Sequence, residues 1–496
     1  MAAETTYKTL FTSPRYLFFN RFREFVHDCY VGSEAIKESP NSFLYLPMQR
    51  REEDEIRKTG NMSHSHYHFR KQHACYENFF KPTIDDIVGI MQKNRPAVKF
   101  GVKEASESSR EVRDIEYYGN QYGDGLTGLK WRLNFNQALY GRYGLLLDVI
   151  ADADGLNPRF CISEYTADKI LDGESVKRNS DLQDTLQWAL LDETTLKFNP
   201  QNKIWEGWPK IRVLGIDAAG QYYQAVLEGS GCYQDWLSFD LKNPPADKTI
   251  YPTFKQKTLG FIPFTVCNVN RLGINEWQEP PYMDVANIAV ANYQIDSYYK
   301  RAIQNHATPT LVVCNAAKPT EGVYLGGVIW TQSSGNNQVS ASILETSGAG
   351  LAEMRNAKES LKNSLKYSSI RDLLDGAGAN SSGEAIQLRT ASGTAAIAAI
   401  DRTGAKALEE QLVFASVWSG ATFAEAGDRI SFEADVSYLG TDFSLQTVVS
   451  LLQANQQTQT LSRQNLYSIL EKSVPGTLSS FDDNEIQLVA ETDAIL

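Results

Sequence analysis

Paired cysteines, long apolar runs and positive charge are all scarce in this 496-residue chain, and each scarcity excludes something. Cys29, Cys75, Cys161, Cys232, Cys267 and Cys314 are scattered, with no C-x-x-C pair. That spacing excludes a disulfide frame and fits free thiols in a reducing cytoplasm. No apolar run approaches the ~18–20 residues that span a bilayer. The early "YLFF" at 16–19 is short and flanked by Arg15 and Arg21, so neither a membrane helix nor a signal peptide is predicted. The 48 Lys and Arg are outnumbered by 60 Asp and Glu, a formal net charge of −12. Proteins that grip DNA by its phosphates gain affinity from cations that displace counterions. This deficit therefore excludes tight phosphate binding over a large surface. The imbalance is uneven: residues 1–110 hold 17 basic against 14 acidic side chains, net +3, whereas 441–496 hold two against seven, net −5.

Aromatic residues, by contrast, are plentiful. The 24 tyrosines and 22 phenylalanines suit subunit interfaces as well as cores. The length exceeds what one hydrophobic core fills, so several subdomains of an α+β body are expected. Phe18, Phe22, Phe25, Val26 and Cys29 predict a helix over 14–38, and Ile84, Ile87, Val88 and Met91 predict another over 83–94, stopped by Pro96. "YLPMQRREEDEIRKTG" reads as a charged surface segment. Leu126, Leu129, Leu133 and Tyr140 share a helical face before the strand "LLLDVI". From 145 to about 270 short strands and turns dominate, including a hairpin in "KIRVLGIDAAGQYYQAVLEG" that turns at Asp217 to Gly220.

From 281 the texture changes. "PPYMDVANIAVANYQIDSYYKRAIQNHA" opens on prolines suited to a helix start and runs unbroken, with apolar or small residues on two faces. Such a helix needs neighbours on two sides. Short strands follow in "TLVV", "VYLGGVIWT" and "SASILET", then a second long helix with Leu351, Met354, Leu361 and Leu365 in line. A Gly- and Ala-rich helix carrying Gly393 and Gly404 ends at Gly420. Mid-helix glycines cost about 1 kcal/mol each relative to alanine and are tolerated where backbones approach closely or the helix bends. "RISFEADVSY" at 429–438 alternates as a strand with one wet face, and two amphipathic helices, near 442–455 and 462–473, precede an acidic end.

The candidate sites mostly favour structural readings. His64, His66 and His68 alternate and would share a face on a strand, with His73, Cys75 and Glu77 following. Zinc accepts such ligands, but a structural role is the stronger reading. "DADG" at 152–155 suggests a calcium loop, yet Glu164 is out of register with the closing acid, leaving a strand-ending turn. No G-x-S-x-G elbow is present. "DGAGANSSGEAIQLR" at 375–389 looks like a phosphate cradle, but Gly383 is followed by Glu384 where a P-loop needs lysine. Ser381 and Glu384 instead have the spacing of a capping box at a helix start. No cofactor, metal or catalytic residue is assigned, and the chain does not read as an enzyme. Arg355, Lys358, Lys362 and Lys366 form a basic stripe along the second long helix.

The order of these parts resembles the portal proteins of tailed bacteriophages and their prophages. "FLYLPMQ" (43–49), "YYGNQYGDGLTG" (117–128), "ALYGRYGLLLDV" (138–149), "PPYMDVANIAVANYQIDSYYKRAIQ" (281–304) and "SGEAIQLR" (382–389) carry the resemblance, which covers most of the chain. It implies a ring, usually of twelve subunits, at one capsid vertex of the virion, assembled in the bacterial cytoplasm. The implied parts are an α/β wing over 1–280 completed by a strand at 429–440, stem helices over 281–305 and 351–374, and a small β-rich clip over 306–350. A tunnel loop over 375–383, a kinked helix region over 384–428 and a short helical crown over 441–496 would follow. The ring would serve DNA packaging, retention and ejection and join head to tail, with no membrane involved. Its partners would be the large terminase subunit, a head–tail adaptor, the major capsid protein and double-stranded DNA in weak contact. Gly376, Gly378, Asn380, Ser381 and Ser382 would face that DNA, and Lys318, Glu321, Asn336 and Asn337 of the clip would meet terminase or adaptor. The basic stripe would line the channel or pair with a neighbouring subunit. Two other readings stand beside this one: a different head–tail connector, and a metal-dependent enzyme using the His64 to Glu77 cluster.

Overall fold

The computed structural model describes residues 12–433, apart from 64, 93–96, 101–106, 151–157, 178–183, 201–202, 308–309, 316–326, 332–337, 345–348, 369–382 and 422–429. The architecture is α+β, as the sequence predicts. Ser13 caps α1 (Pro14–Val31), its hydroxyl accepting the Tyr16 N–H at 3.2 Å, and Pro14 sits at the first helical position, where a missing N–H costs nothing. The helix predicted over 14–38 is divided. Gly32 has φ 104°, which a side chain rarely adopts, and the chain restarts as α2 (Ser33–Glu38).

Three short helices follow: α3 (Ser42–Tyr45), α4 (Arg50–Thr59) and α5 (His66–His73). The segment predicted only as a charged surface is thus largely helical, because Glu52 returns to the Gln49 N–H at 2.9 Å and closes a capping box. The predicted face of Ile84, Ile87, Val88 and Met91 is buried on α6 (Phe80–Gln92). The strand β1 (Ala97–Lys99) and helices α7 (Glu107–Tyr118) and α8 (Gly125–Tyr140) lead into the sheets.

Strands β2 (Arg142–Ile150) and β3 (Arg159–Thr166) open the sheet region, and the "DADG" turn between them lies outside the described residues. A five-stranded sheet contains β4 (Ile170–Lys177) and β5 (Asp184–Asp192). The chain then leaves it for a separate two-stranded hairpin, β6 (Thr195–Asn199) and β7 (Ile204–Trp208). It returns through β8 (Lys210–Ile216) and β9 (Tyr222–Glu228), which turn where the sequence predicts, with Gly220 at φ 79°. After α9 (Cys232–Leu237), β10 (Thr249–Ile250) completes the order β10–β9–β8–β5–β4. β11 (Phe264–Asn268) pairs with β2, giving a second sheet of order β11–β2–β3.

The long helix α10 (Met283–Ala307) precedes a three-stranded sheet of β12 (Thr310–Cys314), β13 (Gly327–Thr331) and β14 (Ser340–Leu344). β12 lies centrally, parallel to β13 and antiparallel to β14. Helix α11 (Ala349–Ser368) follows, then the continuous α12 (Gly383–Ser419), closed by Gly420 at φ 72°. β15 (Ser431–Glu433) returns to pair antiparallel with β1. The main core joins Leu129 and Leu133 of α8, Leu145 to Leu147 of β2, Phe264 of β11 and Leu408, Leu412 and Trp418 of α12. At about 1.5–3 kcal/mol for each large apolar side chain fully buried, these residues fix the C-terminal half of α12 to the body.

Candidate functional site

The two long helices on either side of the small sheet pack on each other, and a charge cluster locks them to the N-terminal helices. Asp296, near the middle of α10, is 4% exposed and takes partners from three directions. Lys358 Nζ of α11 donates at 2.5 Å, the Cys75 backbone N–H donates at 2.8 Å, and Lys300, one turn along α10, stands at 3.5 Å. Burial alone would raise the Asp296 carboxyl, but the Lys358 hydrogen bond and charge, with the Cys75 N–H, hold it below the usual aspartate range. Burial likewise opposes the Lys358 ammonium, and Asp296 and Glu77 outweigh it, so its pKa is raised. Glu77 receives Lys358 at 3.3 Å and Lys362 at 2.7 Å. The connector from α5 to α6 therefore acts as a strap over both long helices.

A second pair lies under the strap. Arg70 of α5 is buried and meets Glu52 of α4 through two bonds, Nε to Oε1 at 2.9 Å and Nη2 to Oε2 at 2.7 Å. The same guanidinium donates to Ser297 Oγ of α10 at 3.2 Å and to the Pro47 carbonyl at 2.8 Å. All three nitrogens of the fork donate, which suits arginine and not lysine. Separately, Lys130 of α8 forms a buried ion pair with Asp401 of α12, and Asn134 donates to the same carboxylate at 2.8 Å.

These contacts revise the sequence reading at several points. The basic stripe was expected to face a channel or a neighbour, yet Lys358 and Lys362 find their acids within the chain. Arg355 is exposed, and the Lys366 side chain lies outside the described residues. The histidine run is helical and not a strand, so His66 and His68 do not share a face. His66 Nδ1 lies 2.9 Å from Glu55, and His73 Nδ1 lies 2.8 Å from the Phe69 carbonyl. His64 lies outside the described residues. No group of three or more His, Cys, Asp or Glu that could hold a metal occurs among those described. The loop candidates Gly376, Gly378, Asn380, Ser381 and Ser382, the clip candidates Lys318, Glu321, Asn336 and Asn337, and the region 441–496 lie outside the described residues. Asp296 and Arg70 were missed. Asp296 is the one carboxylate of α10 beyond its first turn, which was the available signal for the first; nothing local marked the second.

A family described as "Domain of unknown function (DUF4055)" matches residues 281–419. The matched span opens just before α10 and ends at the last residue of α12, so it comprises the paired helices, the small sheet between them and the long helix. No curated protein matches the chain. No described helix is long and apolar enough to cross a membrane.

Proposed function

We propose that the chain is a portal subunit of a tailed bacteriophage or prophage, forming a ring around a DNA channel at one capsid vertex. The observation that carries this reading is the arrangement of 283–419: two long packed helices bracketing a small separate sheet, followed by a 37-residue helix anchored in the body. In this reading α10 and α11 are the stem, β12 to β14 the clip, α12 the kinked helix, and 375–383 the tunnel loop. The preceding sheets, with β15 returned to β1, are the wing.

The charge distribution supports a channel with weak DNA contact. An acidic chain of net charge −12 lacks the cation excess that would trap phosphates. Two of the four stem cations are already neutralised by Glu77 and Asp296, which leaves Arg355 as the exposed cation of the stripe without an ion pair among the described residues. Terminase, a head–tail adaptor and the major capsid protein are the partners this role requires. Mass photometry with negative-stain imaging of the purified protein tests the reading. Ring-shaped particles of about twelve 55.5 kDa chains with a central hole are expected. A monomer at both low and high salt, unchanged on adding scaffold and capsid protein, counts against it.

A further inference from the structure

The hairpin β6–β7 has one uncharged apolar face, which the described residues leave exposed. Its register pairs Phe198 with Trp205, Lys197 with Glu206 and Leu196 with Gly207. Alternation therefore places Leu196, Phe198 and Trp205 on one face, and Lys197, Asn199, Ile204, Glu206 and Trp208 on the other. The second face is mixed: Asn199 donates to Glu206 at 3.1 Å and Lys197 Nζ sits 3.9 Å from the centre of the Trp208 ring, while Ile204 is exposed. The first face carries no charge, and its side chains are 60%, 48% and 67% exposed for Leu196, Phe198 and Trp205. The Phe198 and Trp205 rings lie against each other, with centroids 5.5 Å apart. Two strands alone are marginal in water, and an amphipathic pair is stable when its apolar face is covered.

We propose that this face packs against a second copy of the chain, as an arm from each subunit onto its ring neighbour. The inference rests on the ring proposed above. Size selects the occupant. The three side chains offer on the order of 400 Å² of apolar surface, about half of the ~800 Å² per side of a free-standing interface. An arm of that size holds a partner already kept in place by another contact, where its effective concentration is high. Neighbours in a ring meet that condition. In a closed ring the contact is head-to-tail, so one arm per subunit is donated and one received.

The test replaces Trp205 with the photoreactive residue p-benzoylphenylalanine in the full chain and irradiates the purified assembly. A ladder of bands at multiples of the 55.5 kDa chain is expected, with several-fold less crosslinking from the same probe at Lys197 on the opposite face. Separately, the double variant Phe198→Ser, Trp205→Ser should raise the concentration at which rings dissociate at least tenfold, with an unchanged far-ultraviolet circular dichroism spectrum. Intact rings that give no self-crosslinks, or crosslinks only to a protein of another mass, overturn the arm and leave the portal reading standing. A chain that stays monomeric even with scaffold and capsid protein added overturns both.

Discussion

Lys358 Nζ lies 2.5 Å from Asp296 Oδ1, so the middle of the second long helix is tied to the middle of the first by a charge pair almost out of water. Removing one member of such a pair strands the other. Lys358→Ala is therefore expected to lower the unfolding free energy by on the order of 3 kcal/mol. Lys362→Ala, whose ammonium is half in water, should cost less than about 1 kcal/mol. Denaturant midpoints of the two variants check this, and equal losses would mean that the Asp296 pair does not lock the helices.

Arg70→Lys gives a sharper test of the strap. Lysine keeps the charge but cannot reach Glu52, Ser297 and Pro47 together from one planar group. A loss of about 2–3 kcal/mol is expected, the worth of hydrogen bonds to a buried charge. Thermal unfolding of the variant beside Lys71→Arg, an exchange at a neighbouring α5 lysine, separates this geometric demand from a general effect of changing α5.

Secondary structure was legible in this sequence wherever one periodicity governed a segment. The face of α6, the long helix α10 and the β8–β9 turn all lie where spacing places them, because burial on one side of the element decides them. What spacing did not show was pairing across distance. Lys358 and Lys362 read as a stripe for the channel or a neighbouring subunit because their acids, Glu77 and Asp296, sit far away in the chain. Alternating histidines suggested a strand, yet Ser65 caps α5 by accepting the His68 N–H at 3.2 Å, and that local bond fixed a helix. The hairpin β6–β7 was missed because none of its apolar residues is buried, so they left no core pattern to read.

Glu410 supplies a prediction in pH. Its carboxyl accepts the Thr265 hydroxyl at 2.6 Å, but burial outweighs that bond and the Lys406 charge, and its pKa is raised above the ordinary 4.5. A carboxyl raised on folding adds stability that is fully present below its unfolded pKa and is lost as pH rises through the folded value. At pH 7 the unfolded carboxyl is ionised, and burial disfavours that charge in the fold. Glu410→Gln keeps an acceptor for Thr265 and removes that charge, so it should stabilise at pH 7 by about 0.5–2 kcal/mol and by little at pH 4. Paired unfolding curves at the two pH values decide the matter; a gain of equal size at both would assign the effect to packing.

Gly404 tests why α12 tolerates a residue that weakens helices. A Cβ built there would stand 2.6 Å from Leu133 Cδ2, 2.8 Å from Asn134 Oδ1 and 2.9 Å from Gln137 Oε1. All three belong to α8, so the glycine marks a close approach of two helices, one of the two roles its mid-helix position suggests. Helix propensity favours Gly404→Ala by about 1 kcal/mol, while overpacking costs roughly 1–3 kcal/mol. Here the neighbours are restrained: Asn134 is bonded to Asp401, and Gln137 donates to the Asn268 carbonyl at 2.9 Å. The clash should win, giving a net loss of about 1–2 kcal/mol in chemical denaturation. A variant more stable than the parent would show that α8 and α12 can separate by a few tenths of an ångström at no cost, and that the glycine serves bending of α12 instead.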